Sequence, residues 1–156
     1  MSYSCARKTL SPQPMLAIQR RVTRAQIPAV IAEVLPRVFA FAQQNGCAPA
    51  GPPFCRYLEM GPEYLVMEPG IPIAAPAQTR PDSEIQAGTL PGGPVAVTVH
   101  LGPYDRLPEA VTALREWMER QALPYTSGFW ESYVTDPGET PDPKDWKTDV
   151  FWPLAG

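Results

Sequence analysis

Between residues 26 and 45 the apolar positions Ile27, Val30, Ile31, Val34, Leu35, Val38 and Phe41 recur at steps of three and four, the stripe of an amphipathic helix. Pro28 suits its first turn. Pro36 lies in its interior, where a missing amide donor predicts a kink. Asn45-Gly46 then supplies the residue type that commonly follows a helix C-terminus. Residues 15–23 (MLAIQRRVT) alternate loosely and predict a preceding strand. After the helix, 54–60 (FCRYLEM) and 64–73 (YLVMEPGIPI) flank Gly61-Pro62, and the pattern predicts a β-hairpin. A proline-rich polar stretch, 74–84, separates this half from the next.

The second half begins with a short strand at 85–89 and a turn at Pro91-Gly92-Gly93-Pro94. Val95, Val97, Val99 and Leu101 alternate with Ala96, Thr98 and His100, which predicts a half-buried strand. A helix from Asp105, read as its cap, to about Ala122 places Leu107, Val111, Leu114 and Met118 on one stripe, with Trp117 beside it. Residues 129–135 and 148–154 predict two closing strands around a Pro- and Gly-rich loop at 136–145. Both halves therefore read strand, helix, strand, strand. The expected architecture is α+β: duplicated βαββ units, about 14–73 and 85–156, forming one mostly antiparallel sheet with two helices on one face and a central ligand cleft.

Composition narrows the chemistry. The 156 residues suit one domain with a genuine core, 14–156, preceded by a flexible leader at 1–13 that lacks the apolar stretch of a secretory signal. No uninterrupted apolar run approaches the ~20 residues of a spanning helix, so no membrane association is expected. A net charge of -3 argues against direct nucleic-acid binding. The three cysteines, Cys5, Cys47 and Cys55, have neither CxxC nor Cys/His spacing, so neither disulfides nor a metal site is expected and the protein is placed in a reducing cytoplasm. No motif indicates a cofactor: the GGP turn has neither GxGxxG spacing nor a Walker lysine. His100, the only histidine, lacks a nucleophile context for a triad.

Three motifs carry a family resemblance. His100-Leu101-Gly102-Pro103-Tyr104 before an amphipathic helix, Trp130-Glu131-Ser132-Tyr133 with Asp136-Pro137, and the run 148–153 ending in proline occur in the order and spacing of GyrI-like domains, which this chain resembles most strongly over 95–153. The resemblance implies a duplicated βαββ fold with amphipathic ligands in a central cleft, and it assigns ligand contact to Glu131. Some free-standing members hydrolyse the cyclopropane of DNA-alkylating natural products, whereas others bind and inhibit DNA gyrase. No helix-turn-helix accompanies these residues, which favours a stand-alone binder or enzyme.

Period-two geometry puts Phe129, Glu131 and Tyr133 on one strand face, where a carboxylate between aromatics suits a cationic ligand or general acid/base work. An exposed strand-edge glutamate is the plainer reading. Tyr104 ends a strand at the mouth of the second helix, and Tyr57 holds the place of Tyr133 in the first half; core packing competes with ligand contact for each. Glu59 shares parity with Tyr57 and offers a second carboxylate. Trp130 and Trp152 complete the candidate ligand-binding set, and Glu131, Tyr104 and Tyr133 form the candidate catalytic set. Two functions follow: a small-molecule binder, or a hydrolase with Glu131 as general base and a tyrosine hydroxyl stabilising developing negative charge. A gyrase-interacting inhibitor would need an external acidic or apolar patch, for which no run of like charge provides. Homodimerisation is compatible with either function.

Overall fold

The computed structural model describes residues 3–155, which fall into two compact units, 3–11 with 92–155 and 12–91. Their strand orders match. In the 12–91 unit, β2 (Gln13–Ile18) lies between β5 (Leu65–Pro72) and β6 (Ile85–Leu90), β4 (Phe54–Met60) flanks β5, and the short β3 (Arg20–Val22) also pairs with β5. In the other unit, β7 (Gly93–Leu101) lies between β1 (Cys5–Leu10) and β9 (Lys147–Pro153), and β8 (Trp130–Tyr133) flanks β9. All of these pairings are antiparallel. Helix α1 (Ile27–Gln44) packs on β2 and β5, and α2 (Leu107–Arg120) packs on β7. The α+β class and the βαββ duplication both hold.

The boundaries of the halves differ from those expected. Residues 5–10, assigned to a flexible leader, form β1 and pair with β7 over six residue positions from Cys5↔Thr98 to Leu10↔Gly93; Met1 and Ser2 lie outside the described residues. Ile85–Leu90 likewise pairs with β2, not with the strand that follows it. Each unit thus has a fourth strand from the segment next to the other unit's first strand. The reason β1 was unreadable is physical: an edge strand with a burial pattern of two half-buried ends around four exposed residues has no alternating signature.

In α1, Val34, Val38 and Ala42 are buried and join Leu16, Ile18, Ile71 and Ile73 in the core of the 12–91 unit. Pro36 lies on the exposed face of the helix, as does Ala32, whose carbonyl has no i+4 amide donor at the proline. The segment Arg24–Gln44 is long and apolar enough to cross a membrane by composition alone. Its buried stripe is also what a core helix packed on a sheet requires.

Both helices end with the same hydrogen-bond pattern. Cys47 N–H donates to Ala42 O (2.8 Å) after Gly46 at φ 67°, and Leu123 N–H donates to Met118 O (2.9 Å) after Ala122 at φ 55°. Their starts match too, with Pro28 and Pro108 each in the first turn after a short 3-10 turn. Asp105, expected as a cap, sits inside the turn Tyr104–Arg106; Pro103 and Arg106 occupy the cap positions, without a side-chain cap bond.

Candidate functional site

Strand β7 is buried on both parities from Val95 to Thr98; beyond that His100 is buried, whereas Val99 is 40% and Leu101 60% exposed, so the face of His100 is the inward one at this end. His100 tolerates burial because both ring nitrogens are satisfied: Nε2 lies 2.9 Å from the Pro103 carbonyl and Nδ1 lies 3.0 Å from the Tyr3 hydroxyl. A carbonyl only accepts, so Nε2 carries a proton; in the neutral ring Nδ1 then accepts from the Tyr3 hydroxyl. His100 is therefore a structural pin between Tyr3, just before β1, and the turn before α2.

The register carries this face across the sheet. His100 pairs with Thr148 and Thr148 with Tyr133; Thr98 pairs with Val150 and Val150 with Glu131. Glu131 and Tyr133 consequently share the inward face with His100, Thr98 and Thr148. Glu131 is buried, 6% exposed, and accepts a hydrogen bond from the Tyr133 hydroxyl at 3.0 Å. Thr148 Oγ1, in the adjacent strand, is buried without a hydrogen-bond partner among the described residues.

An aromatic wall stands beside this carboxylate. The Tyr104 ring meets Tyr133 edge-on at 5.5 Å and Trp146 at 4.8 Å. The 3-10 turn before α2 positions Tyr104. Trp146 is held by three bonds: its indole N–H donates to Thr140 O (2.6 Å), its backbone N–H donates to Pro143 O (3.2 Å), and its own carbonyl accepts from Gly102 N–H (2.9 Å). Burial, reinforced by the Asp136 carboxylate, pushes the Tyr104 hydroxyl above its ordinary 10.0. Tyr104 is accordingly a neutral donor across the physiological range. The arrangement supplies a buried carboxylate, two phenols and an indole, which suits an organic cation or a polarised carbon–oxygen bond. Among the described residues no His/Cys/Asp/Glu group has the geometry of a metal site.

The model of the family described as GyrI-like small molecule binding domain matches residues 6–155. This chain belongs to that family. No curated protein matches it. Among solved structures, it is similar to the EcmrR C-terminal domain (TM-score 0.85, 20% identity, covering 99% of each chain). It spans 57% of the EcmrR chain in the EcmrR–DNA complex, and 97% of this chain is covered there at the same TM-score and identity. It is also similar to SAV2435 bound to tetraphenylphosphonium (TM-score 0.63, 14% identity, covering all of this chain and 95% of that one). A third similar structure is a hydrolase encoded by lin2189 from Listeria innocua (TM-score 0.62, 14% identity, covering 99% and 93%).

The other candidate residues of this GyrI-like chain make contacts of their own. Trp130 has the opposite parity to Glu131 and stacks on Phe151 at 5.4 Å. Phe129 and Trp152 pack together at 4.7 Å, and the Trp152 indole donates to Thr126 O at 2.7 Å. Trp152 shares the strand parity of Thr148 and Val150 and lies two residues along β9 from Val150, the partner of Glu131, about 7 Å at ~3.3 Å per residue. These rings cluster with Tyr125.

In the 12–91 unit, a β-bulge separates Tyr57 from Glu59: Tyr57 opposes Met67, but Glu59 opposes Val66. Adjacent residues of β5 point to opposite faces, so the extra residue Leu58 puts Tyr57 and Glu59 on opposite faces despite their shared sequence parity. Tyr57 is buried and Glu59 exposed. Sequence reasoning missed Trp146, the aromatic immediately before the final strand, and named Asp136 only as part of the family motif; its backbone carbonyl and carboxylate accept from Thr140 and Gly138 to shape the loop.

Proposed function

We propose that this GyrI-like chain binds an amphipathic organic cation with an aromatic or similarly flat apolar body, taken against Tyr104, Tyr133 and Trp146 with Glu131 as its counter-charge. The observation that carries this reading is the buried Glu131 carboxylate hydrogen-bonded to Tyr133 beside an aromatic wall. Withdrawn from water, the carboxylate attracts a cation more strongly than a surface carboxylate does, and each ring face adds roughly 0.5–2 kcal/mol. The capture of tetraphenylphosphonium by the structurally similar SAV2435 agrees with that ligand class. The test is titration of the purified chain with tetraphenylphosphonium and planar cationic dyes. Saturable binding weakened about tenfold or more by Glu131→Gln supports the reading; binding indifferent to that substitution overturns it.

The Glu131–Tyr133 bond also favours a second reading, hydrolysis of a strained cyclopropane. Glu131 would take a proton from water as the water oxygen bonds to the ring carbon. The breaking carbon–carbon pair would pass into a conjugated carbonyl whose oxygen accepts a hydrogen bond from Tyr104. A ring-opened product heavier by one water, formed by the wild type and not by Glu131→Gln, identifies this activity.

A further inference from the structure

The bulge that turns Glu59 away from Tyr57 gives it a different neighbourhood. Arg21 on β3, Val66 on β5 and Glu59 on β4 form one register row across three strands. Here the β4–β5 hairpin borders a wide-open surface depression of about 410 Å3, lined by residues that include Arg21, Glu59, Met60, Glu63, Tyr64 and Val66. That volume falls in the range of small-molecule sites, ~300–1,000 Å3.

The walls are fixed. Arg24 donates to Gly61 O (2.9 Å) and Pro62 O (3.4 Å), and Gly61 N–H donates to Tyr64 O (2.9 Å), which together hold the hairpin turn. The Arg21 guanidinium lies 5.0 Å from the centre of the Tyr64 ring, a cation–π contact that orients it without neutralising it. Tyr64 is 50% and Met60 49% exposed, so the depression presents apolar surface to solvent. Among the described residues, the ion pairs within 4.0 Å include none of Arg21, Glu59 and Glu63.

From these observations we infer a second small-molecule site, for a compact zwitterion with a free ammonium and a carboxylate on one apolar body, the chemistry of a free amino acid. A lone cation would meet Arg21 and a lone anion would meet Glu59 and Glu63. A molecule carrying both charges pairs with each. The strands bearing Arg21 and Glu59 are separated by β5, about 10 Å apart at ~4.8 Å per strand, so their side chains converge on the depression from opposite sides. Two carboxylates against one guanidinium select for a free ammonium over an acylated amine, and Met60 and Tyr64 take the apolar side chain.

The experiment is an amide-resolved NMR titration of the full chain with L-phenylalanine, phenylalaninamide and N-acetylphenylalanine, each to about 10 mM, a range that detects millimolar binding. The expected result is saturable shifts at Arg21 and residues 59–66 with L-phenylalanine, at least tenfold weaker with either singly charged analogue. Arg21→Gln and Glu59→Gln, both at exposed positions, should each weaken binding by a similar factor and leave the rest of the spectrum unchanged. Equal binding of the analogues, shifts that survive both substitutions, or no saturable shift with L-phenylalanine overturns the inference.

Discussion

Removing the Tyr133 hydroxyl tests the polar centre of the site most directly. Tyr133→Phe deletes one oxygen but keeps the ring that meets Tyr104 at 5.5 Å, so the perturbation falls on the 3.0 Å bond to Glu131. A hydrogen bond to a charged acceptor contributes ~1.5–3 kcal/mol net, and the burial of Glu131 puts this one toward the upper part of that range. Tyr133→Phe should therefore lower unfolding stability by about 2 kcal/mol near neutral pH. In a Glu131→Gln background the acceptor is a neutral amide, and the same deletion should cost only about 1 kcal/mol. The difference, a coupling of roughly 1 kcal/mol or more, is read from urea unfolding of the four proteins of the double-mutant cycle. Equal costs in both backgrounds would show that Glu131 and Tyr133 do not act as a pair and would remove the basis for treating them as one binding element.

Four further outcomes follow from the fold. Gly70→Ala should destabilise by about 3 kcal/mol in chemical denaturation, because a Cβ there would collide with the Leu16 carbonyl oxygen and come within 2.7 Å of Ala17 Cβ. Ala122→Gly should raise stability by about 0.5–1 kcal/mol in thermal unfolding, since the position has φ 55° and its counterpart is already Gly46. Thr148→Val, which preserves shape and removes an unpartnered buried hydroxyl, should stabilise by about 1 kcal/mol. The Tyr104 hydroxyl, raised in the fold by burial and Asp136, contributes stability that is complete below the unfolded value of 10.0 and lost as pH rises through the folded value; Tyr104→Phe should flatten this alkaline loss of stability.

Legibility in the sequence followed the strength of the local signal. The stripe in α1 was readable because burial there follows one helical period; the strand Phe54–Met60 was readable from its strand-forming residues and the Gly61-Pro62 turn after it, although a bulge breaks its alternation. β1 was hidden because its partner, β7, is about ninety residues away and its own residues are mostly exposed. Alternation along β7 did not show which parity stays inside beyond Thr98, where a histidine saturated by Tyr3 and Pro103 is buried and Val99 is exposed. Glu131, Tyr133 and Tyr104 could be named as candidates from strand parity and the family motifs. Glu59 could not be placed correctly: a bulge is a property of pairing, and a single strand read alone does not display it.

The duplication also explains why the proposed cation site has so much chemistry on one unit. The register row His100–Thr148–Tyr133 corresponds to Arg20–Met67–Tyr57, each running from the strand before the helix, across the last strand, to the strand after the helix. Two residues before these tyrosines, Glu131 corresponds to Cys55. The repeated backbone therefore keeps the tyrosine in both copies but gives the carboxylate and the buried threonine to one. Arg20 instead joins Glu33, Arg37 and Glu84 in a charged network on its own unit. If topology alone determined ligand capture, Tyr57→Phe and Tyr133→Phe would weaken cation binding equally. A larger effect of Tyr133→Phe would show that the side chains acquired by one copy, rather than the shared backbone, define the site.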